Sequence, residues 1–443
     1  MIRGRSRVLG RVFGAVAVLS LAAPVLVGWA GTGSVSARAS AARDSRAEMV
    51  RPGHAARASV AAVIAVALRG DIYTVPVSGG SPRRLTTTGG LNSSPALSPH
   101  GSLIAYLSAP RQYVNTSGFA KTHNVWITPV DGNPDGSDAY RIAGANPAID
   151  RGGISWSPDG QHLAYYEGAD IVVDDYQGKH RAVVLHTGRS FRVAGVDPLS
   201  SGAIAWSPDS RRVAVGLPPT NAGPPPADEL RVAIADITSI DDGKTNVVTV
   251  RFPSGALTGS SPSGQGLVWA SDGRHFLVET LANGSGPLLT GIWRVSSSGG
   301  LATLLAGSAT GVRQGKNTGA PFAGATHVVL SPDRAHLATD TAGGLWIADT
   351  DGSHGHRLDL GVARGCVLAQ FAWRGNSAGL AYVTLCMSQT PSTSTNKIAP
   401  ITYHATLSTV LAGGGSSRTL LRADGKIQTV LDLAPAYGCL VCG

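Results

Sequence analysis

Gly375-Asn376-Ser377-Ala378-Gly379 has the Gly-x-Ser-x-Gly spacing of a nucleophile elbow, and His404 and Asp424 or Asp432 follow it. An elbow holds its serine on a sharp turn from a strand into a helix. This pentapeptide instead stands between two short apolar runs, without the alternating strands and helices of a hydrolase domain, so it reads as a hairpin turn. Asp131, Asn133 and Asp135 take the first, third and fifth positions of a calcium-loop pattern, with Gly136 at the sixth. The twelfth position is Ile142 rather than Glu, and Pro134 stiffens the segment. A plain polar turn is the better reading of the same residues, so no cofactor is expected, and weak calcium binding is the alternative. The histidines lack zinc spacing, His354 and His356 flank Gly355, and no glycine-rich phosphate loop is present.

The four Cys all lie in the last fifth of the chain. An even number so placed favours disulfides over a metal in an exported protein. Cys366 and Cys386 are equidistant from Asn376, so antiparallel pairing about that turn brings them together. Cys439 and Cys442 then pair locally or clamp the end of the chain; crossed pairing is the alternative.

The elements that hold these residues come from a repeat. Leu97-Ser98-Pro99-His100-Gly101 returns as Trp156-Ser157-Pro158-Asp159-Gly160, Trp206-Ser207-Pro208-Asp209-Ser210, Trp269-Ala270-Ser271-Asp272-Gly273, Leu330-Ser331-Pro332-Asp333-Arg334 and Trp373-Arg374-Gly375-Asn376-Ser377. A short apolar run follows each. Pro pre-sets the turn, Asp bonds locally, and Gly accepts the left-handed conformation that returns the chain, so each phrase predicts a hairpin. A second hairpin follows every one, as in Val125-Trp126-Ile127 with Tyr140-Arg141-Ile142. Four short antiparallel strands per repeat make a propeller blade, and the fold class is all-β. The chain enters with Ala65 to Thr86, a blade that lacks a strand. Val430 to Pro435 supplies it if the termini close the ring, giving seven blades; six blades with an accessory hairpin is the alternative. Trp156, Trp206, Trp269 and Trp373 end first strands, and Trp126, Trp293 and Trp346 sit in third strands, which assigns them to blade packing.

The Ser-Pro-Asp-Gly hairpins, together with Asp71-Ile72-Tyr73 and Gly79-Gly80-Ser81-Pro82-Arg83-Arg84-Leu85-Thr86, resemble the WD-like propeller repeats of the TolB family. The resemblance spans about residues 60 to 435. It implies a periplasmic or secreted propeller that works through protein contacts. No separate N-terminal domain of the TolB type is recognisable before Ala65.

Arg3, Arg5, Arg7 and Arg11 precede an apolar run from Val12 to Trp29 and a small-residue stretch to Ala37, which reads as a signal peptide. An uncleaved membrane anchor is the alternative. The expected organisation is 1–37 signal or anchor, 38–60 flexible linker, 61–438 propeller, and 439–443 a tail holding the Cys439-x-x-Cys442 pair. Nine Arg against Asp44 and Glu48 place +7 of the chain's +9 in the first 60 residues. The charge therefore serves export and does not mark a nucleic-acid-binding protein. The 57 Gly and 26 Pro exclude long helices.

In a propeller the loops from second to third strands share a face with the connections between blades. The long insertions are of those two kinds: Ser108–His123, Gly216–Glu229, Phe252–Gly266, Gly307–Thr326 and Met387–Pro400. Long loops on a rigid scaffold carry recognition, and Arg111, Tyr113, Lys121, His123, Arg313 and Lys316 are the candidate contacts. The expectation is a secreted or extracytoplasmic, monomeric, noncatalytic propeller that binds a protein or cell-envelope component. A propeller hydrolase or lactonase with a central pocket, and a small-ligand sensor, are the rival readings.

Overall fold

The chain divides into two units, residues 1–56 and 57–443. The computed structural model describes residues 63–425 apart from 69, 88–90, 110–123, 143–153, 168–169, 187–203, 218–228, 238–244, 254–259, 283–290, 308–326, 332, 342–343, 364–365, 375–376 and 390–400. The signal, the linker, Val430–Pro435, Cys439 and Cys442 lie outside the described residues.

Seven sheets follow one another along the chain, and within each the strands of the blade pair antiparallel in chain order; the fourth sheet alone gains a fifth strand, which pairs in parallel. The third is representative, with strands Ile154–Trp156, His162–Glu167, Asp170–Asp175 and Ala182–His186. The protein is a seven-bladed β-propeller of four-stranded blades, with no helix among the described residues. The first sheet shows three strands, Val63–Leu68, Asp71–Pro76 and Arg83–Arg84. Its expected fourth, Val430–Pro435, belongs to the undescribed end of the chain.

The packing counts the blades independently of the repeats. Seven apolar clusters form, one between each pair of neighbouring sheets. Ala65, Ile72, Ile104 and Tyr106 join sheets 1 and 2, and Leu107, Val125, Ile154 and Tyr165 join 2 and 3. Further clusters link 3 to 4, 4 to 5, 5 to 6 and 6 to 7. The last brings Ile64, Val66, Val75 and Val77 of sheet 1 against Ala381, Val383, Leu407 and Ala423 of sheet 7, which closes the ring. A blade covered on both faces needs an unbroken apolar strand instead of an alternating one. Leu163 to Tyr166 and Val213 to Gly216 meet this need and are buried throughout. The outermost strands, such as Arg83–Arg84, are exposed.

The hairpin phrase closes as its residues require. The Ser207 amide donates to the Arg212 carbonyl at 2.8 Å, and the Arg212 amide returns a bond to Ser207 Oγ at 2.9 Å. Ser207 Oγ donates to Asp209, and the same latch forms at Ser157–Asp159 and Ser331–Asp333. The fifth residue of all six turns takes positive φ, but Gly holds it only at 101, 160 and 273. Ser210, Arg334 and Ser377 adopt φ of 60°, 58° and 56°. These exceptions reach across to other blades: the Ser210 hydroxyl accepts the Asp159 amide at 3.0 Å, and that of Ser377 accepts the Asp333 amide at 3.1 Å.

Two expected insertions are shortened by strands. Ser260–Trp269 is one long strand with a register shift between Pro262 and Leu267, so much of the expected Phe252–Gly266 loop is sheet. Gly379–Gln389 likewise carries Met387 beside Tyr403. The extra pairing length of each partner strand draws in the residues next to the turn. The strand added to sheet 4 is Gly300–Leu301, which lies in sequence between the third and fourth strands of sheet 5 and pairs in parallel with Val250–Arg251 of sheet 4.

Candidate functional site

Strand direction divides the polar chemistry between two rims. First-to-second and third-to-fourth strand turns emerge on one rim and are mostly short, the longest being the one from Pro129 to Tyr140. The connections from Ala109 to Asn124, Leu217 to Glu229, His186 to Ala205, Gly307 to His327 and Gln389 to Ile401 all leave from the other. Arg111, Tyr113, Lys121, His123, Arg313 and Lys316 belong to these long connections and lie outside the described residues.

On the short-turn rim several polar groups hold neighbouring blades together. Arg83 donates to the carbonyls of Asp131 and Gly132 at 2.8 and 2.7 Å, and Thr87 donates to the Asp135 carbonyl at 2.9 Å. Tyr140 Oη donates to the Tyr176 carbonyl at 2.9 Å, while His100 Nε2 and His356 Nε2 approach the carbonyls of Asp159 and Ala412. The residues shared with the calcium pattern, Asp131, Asn133 and Asp135, come together in the turn between Asn124–Pro129 and Tyr140–Arg141. Their groups serve that turn: the Ser137 amide donates to Asp135 at 2.9 Å, and the Asn133 amide to Asp138 at 2.8 Å. Bonds from Ser137 hold the Asp135 carboxyl below the usual carboxylate range. Among the described residues no three or more His, Cys, Asp or Glu side chains gather as metal ligands.

The hairpin carboxylates are likewise fixed as anions. The Ser207 hydroxyl lowers the pKa of Asp209. At Asp333 partial burial pushes upward, but bonds from Ser331, the Ala335 amide and Ser377 outweigh it and the net shift is down. Asp272 reaches about 2, because the Arg274 amide, His275 and Arg294 together overcome its burial. A carboxylate so lowered accepts hydrogen bonds at neutral pH and is a poor proton donor.

The tryptophans connect first strands around the axis. Trp156 Nε1 donates to the Ala96 carbonyl at 3.0 Å, Trp206 to Ser155 at 3.1 Å and Trp373 to Val329 at 2.9 Å, each in the preceding blade. Trp269 breaks the series, since its buried indole nitrogen has no partner. The Arg212 guanidinium lies 4.7 Å from the centre of its ring. Arg334 enters the same region from sheet 6 and donates to the carbonyls of Trp269 and Trp206 at 3.2 and 3.4 Å. One guanidinium therefore ties sheets 4, 5 and 6, and burial lowers its pKa from the ordinary value. The repeat identified the tryptophans as packing residues, but nothing in the sequence marked Arg334 as more than a turn residue.

Asp174 is a second unmarked position. Its side chain is buried with both oxygens unpartnered. It stands opposite Leu163 on the face of sheet 3 that packs on sheet 2. Burial first, and then the neighbouring Asp175, raise its pKa to about 6 against the pull of Arg181. The disulfide expected at Cys366 and Cys386 is present, and the two residues are directly paired with Cα atoms 4.1 Å apart. Ser377, the serine of the elbow pattern, has its hydroxyl committed to the Asp333 amide. His404 meets Ser388 at 2.8 Å and pairs across strands with Asp424.

No protein-family model matches the chain, and no curated protein matches it in sequence. Among solved structures the chain is similar to an oligogalacturonate lyase from Vibrio parahaemolyticus, at 10% identity over 81% of this chain and 84% of that one, with a TM-score of 0.46. It is similar to a putative TolB from Agrobacterium tumefaciens at 13% identity over 82% and 88%, with a TM-score of 0.36. A functionally unknown protein from Desulfotomaculum acetoxidans matches at 14% identity over 86% and 99%, with a TM-score of 0.46.

Proposed function

We propose that the protein is an exported, noncatalytic β-propeller that binds a protein or cell-envelope component through its long-connection rim. The division between the rims carries this reading. Many carboxylates, hydroxyls and guanidiniums of the short-turn rim, among them Arg83, Ser207, Asp209, Ser210 and Ser377, are engaged in turn and inter-blade bonds, while the long connections leave from the opposite rim. Recognition then follows from preorganisation: the ring holds the ends of each connection fixed, so less ordering cost falls on binding. Arg111, Tyr113, Lys121, His123, Arg313 and Lys316 supply cationic and aromatic contacts. Export is supported by the Arg-led apolar segment Val12–Trp29 and by the Cys366–Cys386 bridge, which persists in oxidising compartments.

The test is crosslinking in a cell-envelope fraction with three forms of the full chain. In one, residues 308–326 are replaced by a short Gly-Ser linker; in another, Arg111 and Tyr113 become Ala; in the third, Asp351→Asn alters the short-turn rim. The first two are expected to lose the crosslinked partner and the third to keep it. Equal recovery from all three overturns the proposed rim, and calcium-dependent turnover in a hydrolase or lactonase screen overturns the noncatalytic reading.

A further inference from the structure

The seam where the ring closes contains a cleft of about 550 Å³, lined by Val77 and Ser78 of sheet 1 and by Arg374, Thr409, Val410, Leu411, Ser416 and Arg418 of sheet 7. It opens on the short-turn rim, away from the recognition surface proposed above. Its lining holds two guanidiniums and no acidic side chain.

The sequence explains how the charge arises. Arg374 occupies the position that Ser98, Ser157, Ser207 and Ser331 fill in other hairpins, and the Asp two residues later is replaced by Asn376. The backbone of the turn is kept: the Arg374 amide donates to the Gly379 carbonyl at 2.7 Å, and the Ser377 amide to the Arg374 carbonyl at 2.9 Å. What changes is the side chain. A serine closes the latch on itself, whereas Arg374 passes beside Gly379, where an added Cβ would stand 3.2 Å from Arg374 Cδ. Its Nε is buried and has no hydrogen-bond partner. From the other side Arg418 lies over Gly79, whose φ is +83° and whose missing Cβ would fall 2.6 Å from the guanidinium. Glycine there both permits the turn and leaves the room that Arg418 uses.

A buried, unpaired guanidinium nitrogen is costly unless an acceptor meets it. Arg374 and Arg418 share the lining with the hydroxyl residues Ser78 and Ser416, which makes it donor-rich and cationic, and Val77, Val410 and Leu411 give it an apolar side. From this arrangement we infer that the seam is a binding site for a small organic oxyanion, a phosphate or carboxylate group carried on a short apolar body. Arg374 and Arg418 supply charge-assisted bonds from sheet 7, and Ser78 supplies a hydroxyl from sheet 1. A bound oxyanion would therefore bridge the first and last blades.

The experiment is calorimetric titration and thermal unfolding of the full chain near neutral pH. Inorganic phosphate and butyrate are the probes, with chloride at matched ionic strength as control. Saturable binding of phosphate, butyrate or both is expected, with a rise in melting temperature that chloride does not reproduce; the two arms decide which oxyanion is preferred. Arg418→Gln and Arg374→Gln should each weaken binding by about tenfold or more, the loss of one charge-assisted contact. Arg418 is exposed, so its variant reports on the site even where Arg374→Gln perturbs the hairpin. Absence of saturable binding to the unsubstituted protein, or unchanged affinity in Arg418→Gln, would overturn the assignment.

Discussion

Trp373 and Val329 lie in neighbouring blades, and the indole nitrogen of the first donates to the main-chain carbonyl of the second at 2.9 Å. The same bond joins Trp156 to Ala96 and Trp206 to Ser155. A ring assembled from apolar faces alone allows neighbouring blades to slip. A directional bond at the inner strand fixes how far each is turned against the next. Trp373→Phe keeps an aromatic ring but strands the carbonyl and leaves space, so it should cost about 2 kcal/mol. Urea unfolding against the unsubstituted protein measures this; an unchanged midpoint would show that the bond carries no stability.

Arg334 combines a left-handed backbone with bonds to two other blades, and two substitutions separate those contributions. Arg334→Ala loses the guanidinium and keeps the backbone strain, while Arg334→Gly loses the guanidinium and relieves the strain at φ 58°. Both should be less stable than the unsubstituted protein. The glycine form should be the better of the two by roughly 1 kcal/mol. Equal midpoints in chemical denaturation would remove the strain argument.

Asp174 sets a pH dependence opposite to that of an ordinary acid. Its pKa in the folded protein, about 6, exceeds the 3.8 of the free side chain. Below 3.8 both states are protonated and no penalty exists. As pH rises to 6 the unfolded chain ionises first and stability falls, and above 6 the full penalty, about 3 kcal/mol, remains. Asp174→Asn should therefore match the unsubstituted protein at low pH and exceed it above pH 6. Parallel stability curves across that window would contradict the burial of an unpartnered carboxyl. Asp272 acts in the other direction: its stabilisation is present above 3.8 and is lost as pH falls toward 2.

The disulfide spans 20 residues of sequence. In the chain-entropy description a loop of that length is worth roughly 3 kcal/mol. Cys366→Ser with Cys386→Ser should lower the melting temperature, and reductant should lower that of the unsubstituted protein but not of the double variant. Insensitivity of both to reductant would argue that the bridge does not form.

Much of this fold could be read from local chemistry. Ser157-Pro158-Asp159-Gly160 states its own turn, because the atoms that close it lie within five residues. Cys366 and Cys386 were legible for a related reason: symmetry about one turn sets antiparallel register. The bond from Trp206 to Ser155 was not legible, since it depends on the rotation between blades. Asp174 reads as an ordinary strand acid until sheet 2 covers it. The seam cleft was the least accessible, because Ser78 and Arg418 meet only when the ring closes and no periodicity relates them. The six candidate contacts remain expectations from loop position.

The apolar cluster that joins Ile64, Val66, Val75 and Val77 to Ala381, Val383, Leu407 and Ala423 has a consequence in time. Sheet 1 is synthesised first, but its partner is synthesised last. During elongation one face of the opening blade has nothing to cover it, and contacts so distant in sequence are slow to form. The seam is thus the step at which an arc of blades becomes a protein. A chain stalled before sheet 7 would expose a sticky apolar edge at each end, open to a second copy.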